Sequence, residues 1–410
     1  MKHQAPSPKP QAPSLKPQAP SQQPGYTGLL RFVNEDKSTR YHRLRRRADL
    51  LGTAAAGVVL LALLVSGAGS QVRELAAAVS SFISAGFDDA VTVALYAVML
   101  MILLQVIEFP FAFYQGFLLE HRYGLSTQTA RHWLSDQAKG VLLGTGLAVI
   151  GASIVFLTLR KWPDQWWFLS AVMFAIAMIG LARLAPIVLL PIFYRFKPLD
   201  RPALVARLLG LAHKARTDVV GVFEWVLSGH TKKANAALAG MGRTRRILLS
   251  DTLLADYSED EIEVILAHEL AHHVHHDLWR GIAVQTLVLA GGFFLADAAL
   301  RRLADPLALR GLSDPAGLPL LILVGGAWSF LMMPLVNAQS RAQERAADRY
   351  ALSATHNVDA FVTAMKRLSQ QNLAEERPSP LVEWLFYSHP PIHERIDAAK
   401  AFSREDHHAA

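Results

Sequence analysis

Six apolar stretches set the strongest constraint on how this 410-residue chain can fold. Each is long enough to cross the hydrocarbon core of a bilayer, which takes about 20 residues of α-helix. They lie at residues 48–67, 90–114, 138–159, 166–194, 281–299 and 317–338. Because the membrane interior offers no partners to unpaired backbone groups, the stretches must be helical. We therefore predict a mainly α-helical protein that crosses the membrane six times.

A further apolar stretch, residues 71–89, is interrupted by four charged residues, namely Arg73, Glu74, Asp88 and Asp89. Charged side chains are costly inside the hydrocarbon layer. We expect this stretch to be an amphipathic connector, with a seventh transmembrane helix as the alternative.

Composition narrows the chemistry that the chain can perform. The sequence has no cysteine, so thiol nucleophiles and cysteine-ligated zinc are excluded and any metal must be held by histidines and carboxylates. The net charge of +7 comes from basic residues that stand beside the apolar stretches. Such placement indicates membrane topology, so we expect no nucleic-acid partner.

The basic residues also predict the orientation, because they resist transfer across a membrane. Five of them stand shortly before the first span: Arg40, Arg43, Arg45, Arg46 and Arg47. The next connector carries only Arg73, so the N-terminus should be cytoplasmic. With six spans, residues 195–280 and all residues after 339 lie on the same side. We expect an integral protein of a bacterial inner (plasma) membrane with its active site in the cytoplasm.

The segment YSEDEIEVILAHELAHHVHHD predicts a helix over residues 259–276. Ser258 and Glu261 have the spacing of a capping box, in which each side chain accepts a hydrogen bond from the other residue's backbone. Apolar residues follow at helical spacing. The segment should therefore present its histidines on a well-defined helical face.

Two of those histidines, His268 and His272, are four residues apart, so their imidazoles can converge on one metal ion. Glu269 lies where its carboxylate can act as general base on a water molecule held by that metal. This is the HExxH arrangement of zinc proteases. The remaining histidines of the segment are expected to be solvated or to surround the ligands: His273, His275 and His276.

A catalytic zinc ion usually takes three protein ligands. The segment QSRAQERAADRYAL follows the sixth span and places Glu344 and Asp348 four residues apart. Glu344 could bind the metal, while Asp348 could accept a hydrogen bond from a ligand histidine. The alternative is an ordinary surface helix of paired arginines and glutamates, and spacing alone does not decide between the two.

The motifs HELAHH, SRAQERAAD and YSHPPIHERI occur together behind multiple spans. In this combination the chain resembles the M48 family of membrane-integrated zinc metalloproteases, most closely the Ste24 type, also called CAAX prenyl protease 1. Further matching segments lie at 118–140, 185–199 and 233–254, so the resemblance runs from about residue 90 to 400. It implies a polytopic helical membrane protein of six or seven transmembrane helices. A zincin-like cytoplasmic protease domain with a small β-hairpin or sheet should accompany them.

The resemblance also implies roles for individual residues. It makes Glu344 the third ligand of one Zn²⁺ ion, beside His268 and His272, and Asp348 the partner of a ligand. Glu269 remains the general base.

For the substrate, the resemblance points to Asn235 and Ala236, which correspond to the family's substrate strand. An edge strand there could hold an extended peptide by backbone pairing. The next residue is Ala237, where the family usually has a tyrosine. His389 and Arg395 match residues that the family places near the substrate carbonyl or C-terminus.

The implied activity is hydrolysis of peptide bonds near the C-terminus of membrane-associated or prenylated-like peptides. Expected partners are a peptide or protein substrate, lipidated or not, and membrane lipids. One alternative is a membrane quality-control protease of the HtpX kind. Another is a polytopic transporter or scaffold with a structural zinc ion, which four ligands would normally enclose.

These inferences divide the chain into six parts. A disordered Pro-rich tail is predicted at 1–45, N-terminal transmembrane helices at 46–194, and a first protease part with the HExxH helix at 195–280. Two more transmembrane helices follow at 281–338, a second protease part at 339–402, and a disordered tail at 403–410.

Overall fold

The computed structural model describes the backbone of residues 26–83 and 88–409, and the side chains of residues 37–83, 89–242 and 244–404. The first 25 residues, which make up most of the predicted Pro-rich tail, lie outside the described range. Where the structure is described, it is mainly helical with one small sheet, as predicted.

The membrane helices have these bounds: α1 (Tyr26–Val65), α2 (Ala68–Ile83), α3 (Asp88–Phe113), α4 (Glu120–Arg122), α5 (Ala130–Lys161), α6 (Trp166–Leu184) and α7 (Leu190–Phe193). A π-helical segment, Tyr114–Leu119, continues α3 into α4, and a second one, Ala185–Leu189, continues α6 into α7. The chain returns to the membrane in α11 (Asp277–Leu303) and α12 (Leu318–Thr355).

The remaining elements are strands β1 (Arg195–Pro198), β2 (Val222–Val226), β3 (Ala236–Ala239) and β4 (Arg246–Ser250), with helices α8 (Pro202–Lys214), α9 (Asp251–Asp256) and α10 (Glu259–Val274). After α12 come α13 (Val358–Gln371), α14 (Pro380–Phe386) and α15 (Ile392–Ala409).

Within the described residues, six helical stretches are long and apolar enough to cross a membrane, which confirms the six predicted spans. They are Lys37–Val65, Asp89–Arg122, Ala130–Lys161, Trp166–Phe193, Asp277–Leu303 and Pro315–Thr355. The predicted connector contains α2, whose 16 residues are fewer than a span requires. Its Arg73 is buried and forms an ion pair with Asp314, before the sixth span.

The predicted disordered tail at 1–45 is wrong for residues 26–45, which form the first part of α1. Tyr41 is only 1% exposed and packs with Leu119, Tyr123 and Leu373. This burial offsets the entropy cost of ordering the segment.

The predicted disordered tail at 403–410 is wrong for residues 403–409, because α15 continues to Ala409. Its final residues, SREDHHA, contain neither proline nor glycine, so nothing in the sequence stops the helix.

The small sheet has the strand order β1-β2-β4-β3. Strands β2 and β4 are parallel, and the β1–β2 and β3–β4 pairs are antiparallel. The β3–β4 pair forms a hairpin within this sheet. Its turn needs glycine at position 240, where φ is +102° and a Cβ atom would lie 2.6 Å from the Thr244 carbonyl oxygen. Among the described strands β3 pairs only with β4, so it is an edge of the sheet.

The sheet and the helices α8, α10 and α13 enclose one apolar core. Leu208, Ile247, Leu249, Ile262 and Phe361 are fully buried in it. This core holds α10 in place on its apolar side and leaves its histidine face turned toward α12.

The helix α12 connects the membrane to this core, because it runs without interruption for 38 residues from the sixth span into the protease region. Trp328 packs against α11 at Gly291 and Gly292, where a Cβ atom would come within 2.8 Å and 3.2 Å of the indole. The indole Nε1 also donates to the Val288 carbonyl oxygen at 2.8 Å. These contacts fix the rotation of α12 and hence the direction in which its later residues point.

Candidate active site

The helix α10 carries three of the predicted site residues, His268, Glu269 and His272. It begins with the predicted capping box, in which Ser258 Oγ accepts from the Glu261 backbone and the Glu261 carboxylate accepts from the Ser258 backbone. The helix ends at Val274, two residues before the predicted end. The rings of His268 and His272 lie on one face with their centroids 4.9 Å apart.

The helix α12 places Glu344 against both histidines. Glu344 Oε2 lies 3.2 Å from His268 Nε2, and Glu344 Oε1 lies 3.5 Å from His272 Nε2. One ligand atom from each of the three residues can be chosen so that all lie within 4.8 Å of one another. The structure therefore brings together the three residues that were predicted to hold a metal ion.

This donor set fits a zinc ion. Two ligands bound at about 2.0–2.1 Å in tetrahedral geometry lie roughly 3.4 Å apart, which is close to the two distances from Glu344. Glu344 Oε2 is also buried and has no hydrogen-bond partner within the described range. A buried carboxylate oxygen needs a partner, and a metal ion between the histidines would supply one. Two histidines and one glutamate leave the fourth position open for water.

Asp348 lies one helical turn after Glu344 and supports His268. Its Oδ1 atom is 2.9 Å from His268 Nδ1, the ring nitrogen that faces away from Glu344. Arg395 on α15 donates to both oxygens of Asp348, from Nε at 2.8 Å and from Nη2 at 2.6 Å. The buried guanidinium thus orients Asp348, which in turn orients His268.

Asp277 supports His272 in the same way, and sequence reasoning missed it. Its Oδ2 atom lies 3.0 Å from His272 Nδ1. The contact depends on His276, whose φ of 58° turns the chain sharply between α10 and α11 and brings Asp277 back toward the histidine. The only signal in the sequence is an acidic residue five positions after the second histidine of the motif.

Glu269 faces a cleft of about 320 Å³ between α10 and the end of β3. The other side chains of this cleft include His272, His273 and Leu238. Burial raises the pKa of the Glu269 carboxyl, which strengthens its carboxylate as a proton acceptor. The cleft gives a substrate access to Glu269 and to the histidine face together.

Asn235 and Ala236 lie at the start of β3. The Asn235 backbone faces β4, because its N–H donates to Ser250 Oγ and its carbonyl oxygen accepts from the Ser250 N–H, both at 2.9 Å. By the alternation of an antiparallel ladder, the backbone groups of Ala236 and Leu238 point to the open edge. The cleft beside Glu269 is lined by Leu238 and Ala239, further along the strand.

His389 reaches the ligand cluster of His268, His272 and Glu344 from the exposed side, with Nε2 3.2 Å from Glu344 Oε1. Its side chain is 61% exposed. The loop before His389 is held by Arg341, which is buried and donates to the Tyr387 carbonyl oxygen at 2.6 Å. Sequence reasoning also missed this arginine. The sequence signal for it is an arginine one turn before Glu344.

The other histidines of the HExxH segment stand outside the ligand cluster. His273 lines the cleft beside Glu269, and His275 packs near Tyr350 with ring centroids 5.9 Å apart. His276 forms the left-handed turn.

The chain is similar to known proteins over most of its length. The model of peptidase family M48 matches residues 198–403, and a model described as CAAX prenyl protease N-terminal, five membrane helices, matches residues 33–195. The uncharacterized metalloprotease YhfN of Bacillus subtilis is 31% identical over 289 residues, which cover 70% of this chain and 68% of the relative. A CAAX prenyl protease 1 homolog of Arabidopsis thaliana is 31% identical over 309 residues, covering 72% and 70%.

Among solved structures, the crystal structure of S. mikatae Ste24p superposes with a TM-score of 0.76. The match covers 90% of this chain and 88% of that one, at 22% sequence identity. At this identity the likeness establishes a shared fold.

We predict that Asp277→Ala weakens Zn²⁺ binding about 10- to 100-fold, because His272 loses the carboxylate that orients its ring. The measurement is Zn²⁺ affinity by competition with a chelator. Arg280→Ala is the matched control, since Arg280 is an exposed neighbour of Asp277 and should leave the affinity unchanged. Equal affinities in the wild type and Asp277→Ala would show that Asp277 does not support the metal site.

Proposed function

The chain belongs to peptidase family M48 and is a membrane-integrated metalloendopeptidase of the Ste24 or CAAX prenyl protease type, and we propose that it is a zinc enzyme that cuts near the C-terminus of lipidated peptides. The observation that supports this most strongly is the cluster of His268, His272 and Glu344 beside the open cleft of Glu269. The quality-control and transporter alternatives are not favoured, because several relatives, the one from Arabidopsis thaliana among them, are named CAAX prenyl protease 1 or its homologs.

We assign one Zn²⁺ ion to His268 Nε2, His272 Nε2 and the Glu344 carboxylate. When bound, zinc polarises a water molecule and the substrate carbonyl and lowers the pKa of that water towards about 7. The carboxylates of Asp348 and Asp277 each hold one ligand histidine by its Nδ1 atom, so both imidazoles keep Nε2 available. Arg395 acts through Asp348 as a positioning residue.

Glu269 is the proposed general base. Its carboxylate takes a proton from the attacking water and delivers it to the nitrogen of the leaving amine. The raised pKa of this buried carboxyl strengthens its carboxylate as the acceptor in the first transfer. His389, which is exposed on the other side of Glu344, is placed to donate a hydrogen bond to the oxygen that gains negative charge.

The edge of β3 is the proposed substrate platform. An extended peptide would pair with the outward backbone groups of Ala236 and Leu238 and add a strand to the sheet. Leu238 and Ala239 also line the cleft that contains Glu269, so a peptide on this edge is led to the catalytic carboxylate. The exposed side chain of Asn235 marks the start of this platform.

A groove on the membrane face supports a lipidated substrate. It has a volume of about 620 Å³, lies between α11 and α12, and is lined by apolar residues that include Leu287, Trp328 and Leu335. The groove ends at Gln339, five residues before Glu344, which corresponds to about 7.5 Å along a helix. We propose that the lipid group of the substrate occupies this groove while its peptide enters the cleft.

We place the active site on the cytoplasmic side of a bacterial inner membrane. The basic segment before the first span contacts the protease region, since Arg46 pairs with Glu375 at 2.8 Å and His42 Nε2 lies 3.0 Å from the Leu373 carbonyl oxygen. The arginines that predict a cytoplasmic N-terminus therefore lie on the same side as the site. We propose no nucleic-acid partner.

We predict that Glu269→Gln keeps its zinc and lowers kcat by about 10²- to 10⁴-fold, because an amide cannot accept the proton. Metal content and peptide turnover should be measured on the same preparation. Glu263→Gln is the matched control, as the same change on the same helix at a residue that pairs with Arg207 away from the cluster. Full turnover in Glu269→Gln would remove Glu269 from the mechanism.

We also predict that N-methylation of single backbone amides in a peptide substrate raises KM in an alternating pattern. A blocked amide that faces β3 loses one hydrogen bond, worth about 0.5–1.5 kcal/mol or roughly 2- to 10-fold in KM. The neighbouring amides point away and provide the control within the same series. An effect of equal size at successive positions would contradict strand addition on β3.

A further inference from the structure

A second cluster of metal-ligand side chains lies outside the active site. His132 and Asp136 stand one turn apart near the start of α5, and His230 belongs to the turn that follows β2. One ligand atom from each can be chosen so that all three lie within 4.8 Å of one another. Over the part of the chain that the structure describes, only this cluster and the active site have such an arrangement.

The distances in this cluster resemble those of the active site. Asp136 Oδ2 lies 3.3 Å from His230 Nε2 and 3.8 Å from His132 Nε2. Ligands bound to one tetrahedral ion at about 2.0–2.1 Å are roughly 3.4 Å apart, so a small closure would bring all three into bonding distance. The two imidazole rings already approach to 4.6 Å between centroids.

The state of His230 favours a ligand over an ordinary ion pair. Both of its ring nitrogens are buried, and neither makes a hydrogen bond to any described residue. A buried imidazole whose ring nitrogens make no hydrogen bond needs a partner, and a metal ion between His230 and Asp136 would provide one.

Asp136 is oriented for this role by two neighbours. Gln128 Nε2 donates to its Oδ2 atom at 2.8 Å, and Lys139 Nζ donates to its Oδ1 atom at 3.1 Å. The lysine occupies the oxygen that faces away from the histidines, and Oδ2 keeps a lone pair for an ion. Such outer hydrogen bonds are a regular feature of carboxylates that bind metals.

We propose that His132, Asp136 and His230 form a second metal site, which binds a divalent transition metal ion, zinc first, and fastens the start of α5 to the turn after β2. Two imidazoles and one carboxylate are ligands that suit a divalent transition metal ion. The hard cations Ca²⁺ and Mg²⁺ prefer oxygen ligands, so they are not the preferred ions of this site. His132 is partly exposed, so ions can enter from solvent.

The site would stabilise the approach to the substrate platform. The turn already contacts the segment before α5, since the Thr127 backbone N–H donates to the His230 carbonyl oxygen at 3.2 Å and Thr127 Oγ1 donates to the Ser228 carbonyl oxygen at 2.7 Å. Strand β3 begins at Ala236, six residues after His230. A bound ion would therefore hold the chain that leads into β3 against a transmembrane helix.

The test is zinc stoichiometry of the full chain, purified in detergent without a histidine tag and measured by elemental mass spectrometry after dialysis against zinc-free buffer. We expect two zinc ions per chain in the wild type and one in His132→Ala/His230→Ala. The matched control is His213→Ala, which removes an exposed histidine of α8 outside both clusters and should retain both ions. One ion in the wild type, or two in His132→Ala/His230→Ala, would overturn the proposal.

Anomalous scattering at the zinc edge from crystals of the wild type locates the second ion without any variant, in case the double substitution prevents folding. A peak between His132, Asp136 and His230 is expected, and a peak only elsewhere would contradict the site. Glu344→Gln separates this proposal from the active-site assignment, because it should lose the active-site peak and keep the peak at α5.

Discussion

The buried carboxylate of Glu344 is the group on which the rest of the structure depends. Removing a carboxylate from water costs several kcal/mol unless opposite charges and hydrogen bonds replace the water. Here two imidazoles approach it from α10, and Arg395 from α15 lies 4.0 Å from its Oε2 atom. A metal ion held by His268, His272 and Glu344 would complete this compensation. The need to satisfy one buried charge thus ties three separate helices to a single point.

The same residue links hydrolysis to the membrane. Glu344 stands on the continuous helix α12, and the packing of Trp328 over Gly291 and Gly292 fixes that helix against α11. Glu344 therefore follows the apolar groove between α11 and α12 by five residues along the same helix as Gln339, which lines that groove. This geometry suits a substrate whose peptide is tethered to the membrane by a lipid.

The sequence predicts local features well and contacts between distant segments poorly. Apolar length reveals the six spans, and the capping box with the HExxH spacing reveals α10, because these depend only on neighbouring residues. Spacing alone does not choose Glu344 and Asp348 as partners of the site. Asp277 and Arg341 cannot be recognised as site residues from the sequence. The role of Asp277 depends on the left-handed turn at His276, and that of Arg341 depends on a loop packed against α12. The first part of α1 cannot be recognised as ordered from its own residues, because Tyr41 is buried by residues far along the chain.

The most direct measurement is mass spectrometry of a farnesylated CaaX peptide and its unprenylated twin, each incubated with the zinc-loaded and the zinc-stripped protein in detergent. The account predicts cleavage of the farnesylated peptide by the loaded protein, much weaker cleavage of the twin, and no cleavage of either after stripping. Restoring zinc should restore activity. Cleavage that survives complete removal of zinc, or no cleavage by the loaded protein, would contradict the assignment of a zinc-dependent protease for lipidated peptides.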